Sequence, residues 1–190
     1  DKFETGLATE CAIAPQNDTI VSIMNRYRSQ VSGANMFMLN WSEDLTLYAI
    51  SIAEETISRS VSRVSVGFGG SWEEIIYAWA EEGRYFSNLE GSCIFPCAGY
   101  RNLLNAVNTQ VGCASKGNRF VCVFEKGFAE KSIPYLLGKA CSSCHTEYGC
   151  ESGLCLSSLA TCDSVKVSNN KRKQLVIPAA PKAPPMVQIK

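Results

Sequence analysis

A chain of 190 residues with ten cysteines and one histidine, His145, offers little conventional catalytic chemistry. A zinc site wants three or four His, Cys or carboxylate ligands. A serine or cysteine nucleophile wants a base beside it. His145 lies in "CSSCHTEYGC" (141–150), among small polar residues, and reads as a solvated loop side chain. The stretch "CAGYRNLLNAVNTQVGCA" (97–114) has the texture of a site, a polar and aromatic segment running into a Cys-Ala strand. The position beside Tyr100 where a histidine would make chemistry possible is Gly99. The expectation is no catalytic residue, no metal and no cofactor.

The cysteines stand at 11, 93, 97, 113, 122, 141, 144, 150, 155 and 162. An even, high count at this size favours disulfides and an oxidising compartment. Cys141-Ser-Ser-Cys144 has a metal-ligand spacing, but no second such pair accompanies it. The sequons at Asn17 and Asn40 are candidate glycosylation sites if the chain is secreted. Asp1 in place of an initiator Met, with no basic-then-apolar leader, is read as a mature, processed start. No apolar run approaches the ~20 residues that cross a bilayer, so no transmembrane segment is expected. Net charge is zero, yet residues 163–190 carry six bases and one acid, leaving the rest at −5. An acidic body without a basic stripe does not suit nucleic acid.

Positioning any site falls to the elements. Asp18 is placed to cap a helix with Ile20, Met24, Tyr27 and Val31 on one face, ending at Gly33. Ser42 is placed to cap a second, with Leu45, Tyr48, Ala49, Ile52, Ala53 and Thr56 as its buried stripe. "SRSVSRVSVGFGG" (58–70) reads as a Ser/Gly-rich loop with at most a short strand. Ser71-Trp-Glu-Glu74 is a capping box, opening a third helix with Trp72, Ile75, Ile76 and Trp79 inward. A short helix over 99–107 precedes a hairpin of Val111–Ala114 and Arg119–Phe124 around "SKGN" (115–118). That four-residue turn would set Cys113 opposite Phe120 and leave Cys122 diagonal, ~7–8 Å away on an ideal ladder. Residues 163–190, with Lys171-Arg-Lys and Pro178, Pro181, Pro184 and Pro185, are expected to be disordered.

The order of "IVSIMNRYR" (20–28), "NMFMLNWSEDLTLYA" (35–49), "SWEEIIYAWAEE" (71–82), "GYRNLLNAVNTQVGCA" (99–114), "FVCVFEKG" (120–127) and "PYLLGKACSSC" (134–144) resembles the CAP superfamily of cysteine-rich secretory, venom allergen-like and pathogenesis-related proteins. The resemblance implies an α+β fold, a three-layer α-β-α sandwich over 18–138. An N-terminal arm (1–17), a cysteine-rich hinge (139–162) and the basic tail (163–190) complete the expected organisation. Family members with a metal site use two histidines and two glutamates. The His-Tyr-Thr-Gln motif falls on Gly99-Tyr100-Arg101-Asn102, and 57–70 holds neither His nor Glu. The His-Asn pair of the first helix becomes Met24-Asn25, and Glu82 alone survives of the four. Its solvated-face reading, as one of two exposed helix acids with Glu81, is preferred over a functional relic.

The same resemblance implies bridges Cys93–Cys97 and Cys113–Cys122. It leaves Cys11, Cys141, Cys144, Cys150, Cys155 and Cys162 with 15 possible connectivities, Cys11 being expected to tie the arm to the hinge side. It offers two lipid modes, a sterol under an aromatic-rich loop and a fatty acid between helices. The matching loop, "RYFSNLEGSCIF" (84–95), supplies Tyr85, Phe86, Leu89 and Phe95. These side chains either hold an apolar ligand or plug the edge of the core. A secreted, non-enzymatic protein that binds a sterol or fatty acid, an extracellular protein partner, or both, is the expectation. The sequence fixes no oligomeric state.

Overall fold

The computed structural model describes residues 17–54, 62–145 and 149–157. Expectations for the N-terminal arm with Cys11, for Thr56, for Cys162 and for the 163–190 tail lie outside the described residues. Four α-helices, α1 (Asn17–Gln30), α2 (Glu43–Glu54), α3 (Trp72–Glu81) and α4 (Ala98–Leu103), surround a four-stranded sheet. The sheet is built from β1 (Asn40–Trp41), β2 (Val64–Phe68), β5 (Gln110–Lys116) and β6 (Arg119–Phe124). Its order is β1-β5-β6-β2, parallel between β1 and β5 and antiparallel elsewhere. Two short hairpins, β3 (Phe86–Ser87) with β4 (Ser92–Cys93) and β7 (Cys150–Glu151) with β8 (Leu154–Cys155), stand outside it.

Period-two alternation along β6 makes the three layers. Phe120, Cys122 and Phe124 join the core with α1, α3 and α4, whereas Val121 and Val123 pack with Ala49, Ile52 and Ala53 of α2. Helix α2 lies so close to β5 that a Cβ on Gly112 would come within 2.5 Å of the Leu45 carbonyl carbon. The glycine of "VGCA" is therefore a contact surface for α2. At α3, Ser71 Oγ accepts from Glu74 N at 3.3 Å, and Glu74 Oε2 accepts from Gly70 N at 3.0 Å. The return bond of the capping box thus reaches one residue further back than its usual partner. Residues 64–68, read as little more than loop, form a full edge strand paired residue for residue with β6. Val64 and Val66 supply its α2-facing apolar side.

The hairpin turn corrects the sequence expectation. Lys116 pairs with Arg119, so the turn is the two residues Gly117 and Asn118, with Gly117 at φ +61°. Shortening the turn by two residues slides the register, and Cys113 faces Cys122 with Cα atoms 4.1 Å apart. Such a spacing belongs to the close, non-hydrogen-bonded pairs of an antiparallel ladder. The strand-to-strand disulfide needs no bulge.

Arg28, on α1, is fully buried. Its Nε and Nη2 donate to Phe37 O at 2.9 and 2.6 Å, and its Nη1 to Leu103 O and Asn105 O at 2.7 and 3.1 Å. Nη2 also donates to Asn108 O at 3.2 Å and Ala106 O at 3.4 Å. Desolvation lowers the guanidinium pKa to about 9, since only carbonyl dipoles surround the charge. Nearby, Asn25 clasps the backbone of Leu39 from both sides, its Nδ2 donating to Leu39 O and its Oδ1 accepting from Leu39 N.

In the cysteine-rich segment the bridges are Cys141–Cys150 and Cys144–Cys155. Strand β8 is woven into the body: Cys155 N donates to Met36 O at 2.7 Å, Met38 N donates to Cys155 O at 2.9 Å, and Leu154 sits in the main core. Replacing Arg28 by Met would leave several buried carbonyls without a donor, at ~1–3 kcal/mol for each group truly stranded. Arg28→Met should therefore lower unfolding free energy by about 3 kcal/mol or more in chemical denaturation. A loss under about 1 kcal/mol would contradict this role.

Candidate functional site

Helix α4 carries Gly99-Tyr100-Arg101-Asn102, the positions on which the sequence resemblance sets a histidine motif. A Cβ on Gly99 would lie 2.8 Å from Trp79 Cβ, with the indole ring closer still. Trp79 and Tyr100 are both buried in the main core. Position 99 has no room for a side chain of any kind. The neighbouring Gly83 is similarly closed, since a Cβ there would meet the Tyr100 ring at 2.5 Å. Among the described residues, no three His, Cys, Asp or Glu side chains converge in a way that could hold a metal ion. The residues present do not fit the metal site that the fold family implies.

Glu82 is not the exposed helix acid of the sequence reading. It opens the 3₁₀ turn Glu82–Tyr85 that follows α3, and it is half-buried. Its Oε2 accepts from Tyr100 N at 3.0 Å, and the Gly99 amide also hydrogen-bonds to the carboxylate. Burial raises its pKa, and the two amides only partly offset that. The surviving glutamate caps α4. Glu81, by contrast, pairs with Arg84.

The four aromatic-loop residues divide. Phe86, half-buried, packs against the core, with its ring 5.5 Å from that of Tyr100 and the Arg101 guanidinium 6.0 Å from its centroid. Tyr85 and Phe95 stand at the surface, edge to face at 5.2 Å. Leu89 is 96% exposed between β3 and β4. Phe95 is 59% exposed and its neighbour Ile94 68%. Both line an open groove of about 500 Å³ whose other walls include Cys97, Ala98, Arg101, Phe128 and Lys131. The structure brings Tyr85 and Phe95 together, sets Phe86 against the core edge, and leaves Leu89 apart. Sequence reading missed Ile94, Arg101, Phe128 and Lys131, which come from three separate segments. Of the sequons, Asn17 opens α1. At the other, Asn40 Nδ2 donates to Thr109 O at 3.3 Å, and Ser42 Oγ accepts from Leu45 N at 3.4 Å.

The family model for the cysteine-rich secretory protein family (CAP) matches residues 21–124, more than half the chain. The chain belongs to this family. Among curated proteins it is similar to peptidase inhibitor 16 of Mus musculus, 25% identical over 166 residues. The match covers 74% of this chain and 33% of that protein, so the chain spans about a third of that relative's length. The fold is similar to that of hookworm platelet inhibitor (TM-score 0.62, 18% identity, 76% of this chain and 92% of that one). It is also similar to NaASP2, solved with Zn²⁺ (TM-score 0.59, 16% identity, 77% and 98%). These likenesses establish the α-β-α sandwich of the CAP fold. Position 99 in this chain is a glycine packed against the Trp79 side chain.

Two substitutions test the closed cavity and the cap. Gly99→Ala overpacks against a tryptophan that cannot retreat, and should cost ~1–3 kcal/mol or more; unchanged stability would show that the site can open. For Glu82, the raised pKa means that the folded state binds the proton more tightly than the unfolded chain. This group's contribution is therefore fully present below the ordinary carboxylate pKa and lost as pH rises through the raised value. Glu82→Gln keeps an acceptor for the amides without the buried charge. The melting temperature of the native protein should rise relative to this variant as pH falls from 7 to 4. An opposite trend would mean the carboxylate is better stabilised in the fold than in water.

Proposed function

We propose that this CAP-family chain is a secreted, non-enzymatic binding protein whose groove beside residues 84–95 takes an apolar ligand, a sterol or a fatty acid. The observation carrying this reading is the exposed pair Ile94 and Phe95 in the lining of that groove, with Tyr85 edge to face against Phe95. Large apolar side chains grouped around a concavity, rather than scattered singly, are characteristic of ligand or partner sites. The non-enzymatic half rests on residues rather than on any missing group. Gly99 is sealed by Trp79, and Glu82 is engaged with backbone amides. Secretion is supported by four described disulfides, which persist in oxidising compartments. No helix among the described residues is long and apolar enough to cross a membrane.

A second reading, an extracellular protein partner, draws on Leu89, which projects from the hairpin outside the groove lining. Equilibrium binding separates the two. Ile94→Ser with Phe95→Ser removes exposed side chains and should leave the melting temperature within a few degrees of the parent. Each fully buried apolar side chain is worth ~1.5–3 kcal/mol, so partial loss of two contacts should weaken sterol or fatty-acid binding tenfold or more. Unchanged lipid binding in a folded double variant would remove the groove from the account and favour the protein partner.

A further inference from the structure

Two cysteines are left over. The bridges Cys93–Cys97, Cys113–Cys122, Cys141–Cys150 and Cys144–Cys155 pair eight of the ten, and Cys11 and Cys162 remain. Where the body sends its two chain ends decides whether they can meet. Arg28 Nε donates to Phe37 O at 2.9 Å, and Leu39 N donates to Asn25 Oδ1 at 2.8 Å. The segment 37–39 therefore runs antiparallel to α1, toward the start of that helix. Strand β8 lies on this segment in the parallel sense, with Cys155 opposite Phe37 and hydrogen-bonded to Met36 O and Met38 N. The chain enters β8 beside the far end of α1, where a Cβ on Gly153 would stand 3.9 Å from Ser29 O. Strand β8 thus points along α1 to the end at which residue 17 opens the helix. Ser157, the last described residue on this path, is still buried, with only 8% of its surface exposed.

Two residues past Cys155, the chain comes level with Leu39 and hence with Asn25. From there back to Asn17 the helix covers about 12 Å, at ~1.5 Å per residue. The stretch from Ser157 to Cys162 can span up to ~17 Å, and that from Asn17 to Cys11 up to ~20 Å. Both thiols can therefore reach one point near the start of α1, at the ~4.4–6.8 Å Cα separation that a disulfide needs. We infer that Cys11 and Cys162 form a fifth disulfide, a clasp joining the N-terminal arm to the chain that leaves β8. Its oxidant is a disulfide of the oxidising compartment, carried by a protein or small-molecule donor. The Cys11 thiolate attacks the donor S–S bond and releases one donor thiolate. The Cys162 thiolate then attacks the Cys11 sulfur of the mixed disulfide and expels the second. Two electrons pass to the donor, and the two cysteine thiol protons end on its two sulfurs. The clasp closes residues 11–162 into one covalent ring, so a single proteolytic cut inside it leaves the chain in one piece. The basic 163–190 segment begins one residue beyond. None of this depends on what the groove binds; it needs only the oxidising compartment that the other four bridges support.

The test is non-reducing peptide mapping by mass spectrometry on the full chain, secreted from eukaryotic cells. Free thiols are blocked with N-ethylmaleimide at mildly acid pH before digestion, so that bridges do not exchange. Trypsin followed by chymotrypsin, cutting after Leu156 or Leu159, parts Cys162 from Cys155. The expected product is a Cys11 peptide linked to a Cys162 peptide, with no cysteine blocked. Blocked Cys11 and Cys162, a link from either to another cysteine of the chain, or a covalent dimer through either would overturn the clasp. Ten blocked cysteines would overturn the secretion reading as well. Cys11→Ser, Cys162→Ser and the double variant give a second readout. All three should lower the melting temperature by the same several degrees, because each removes the same bond. Effects that add in the double variant would mean that the two cysteines act independently, and would contradict the pairing.

Discussion

Helix α4 is only six residues long, too short to persist on its own, and it is held by a side chain at each end. Glu82 accepts from the Gly99 and Tyr100 amides at its start, and Arg28 donates to Leu103 O at its finish. The signs match the helix dipole, with an anion at the N-terminus and a cation at the C-terminus. Arg28 does more, because its planar fork also gathers Phe37, Asn105, Ala106 and Asn108. It thereby fixes the chain leading into β1 and the turn leading into β5. With both ends pinned, the face of α4 bearing Gly99 lies against Trp79 and the side chain of Arg101 is delivered to the groove. The sealed interior and the cationic groove wall are consequences of one docking.

The interior face of α4 is closed by close packing between Gly99 and Trp79. An empty space there would cost stability in proportion to its volume, and the contact between Trp79 and Gly99 leaves none for a side chain at position 99. Placing histidine at position 99 would not by itself make a site, because Trp79 stands where its side chain would have to go. Glu82 has a structural role that needs no metal, accepting from the Gly99 and Tyr100 amides. Meanwhile exposed large apolar side chains gather at a concavity beside α4, along 94–95.

The layers and most elements were legible because they depend on local signals. Ser71, the α3 face of Ile75, Ile76 and Trp79, and the alternation in Arg119–Phe124 all specify themselves within a few residues. The fold of the family followed from the order of such pieces. Arg28 was not legible, since a cation on an amphipathic helix reads as solvent-facing, and only tertiary carbonyls from residues 37 and 103–108 make it a core residue. Glu82 was misread for the same reason, its acceptor role depending on amides 17 and 18 positions away. The hairpin register turned on whether the turn held two residues or four, a choice that the composition of "SKGN" does not settle. The groove was half legible: the 84–95 aromatics are contiguous, but Arg101, Phe128 and Lys131 reach it only through folding.

The central claim is that this CAP domain meets its ligand on the outer face of α4 and not in the packed interior around Trp79, Gly99 and Glu82. Mapping backbone amide and indole shifts by NMR during addition of a soluble fatty acid addresses it directly. The account predicts shifts confined to 92–98, Arg101 and 128–131, with Gly67, Gly99 and the Trp79 indole unmoved. Shifts centred on Trp79, Gly99 and Glu82 would show that the interior opens to ligand, and would contradict it.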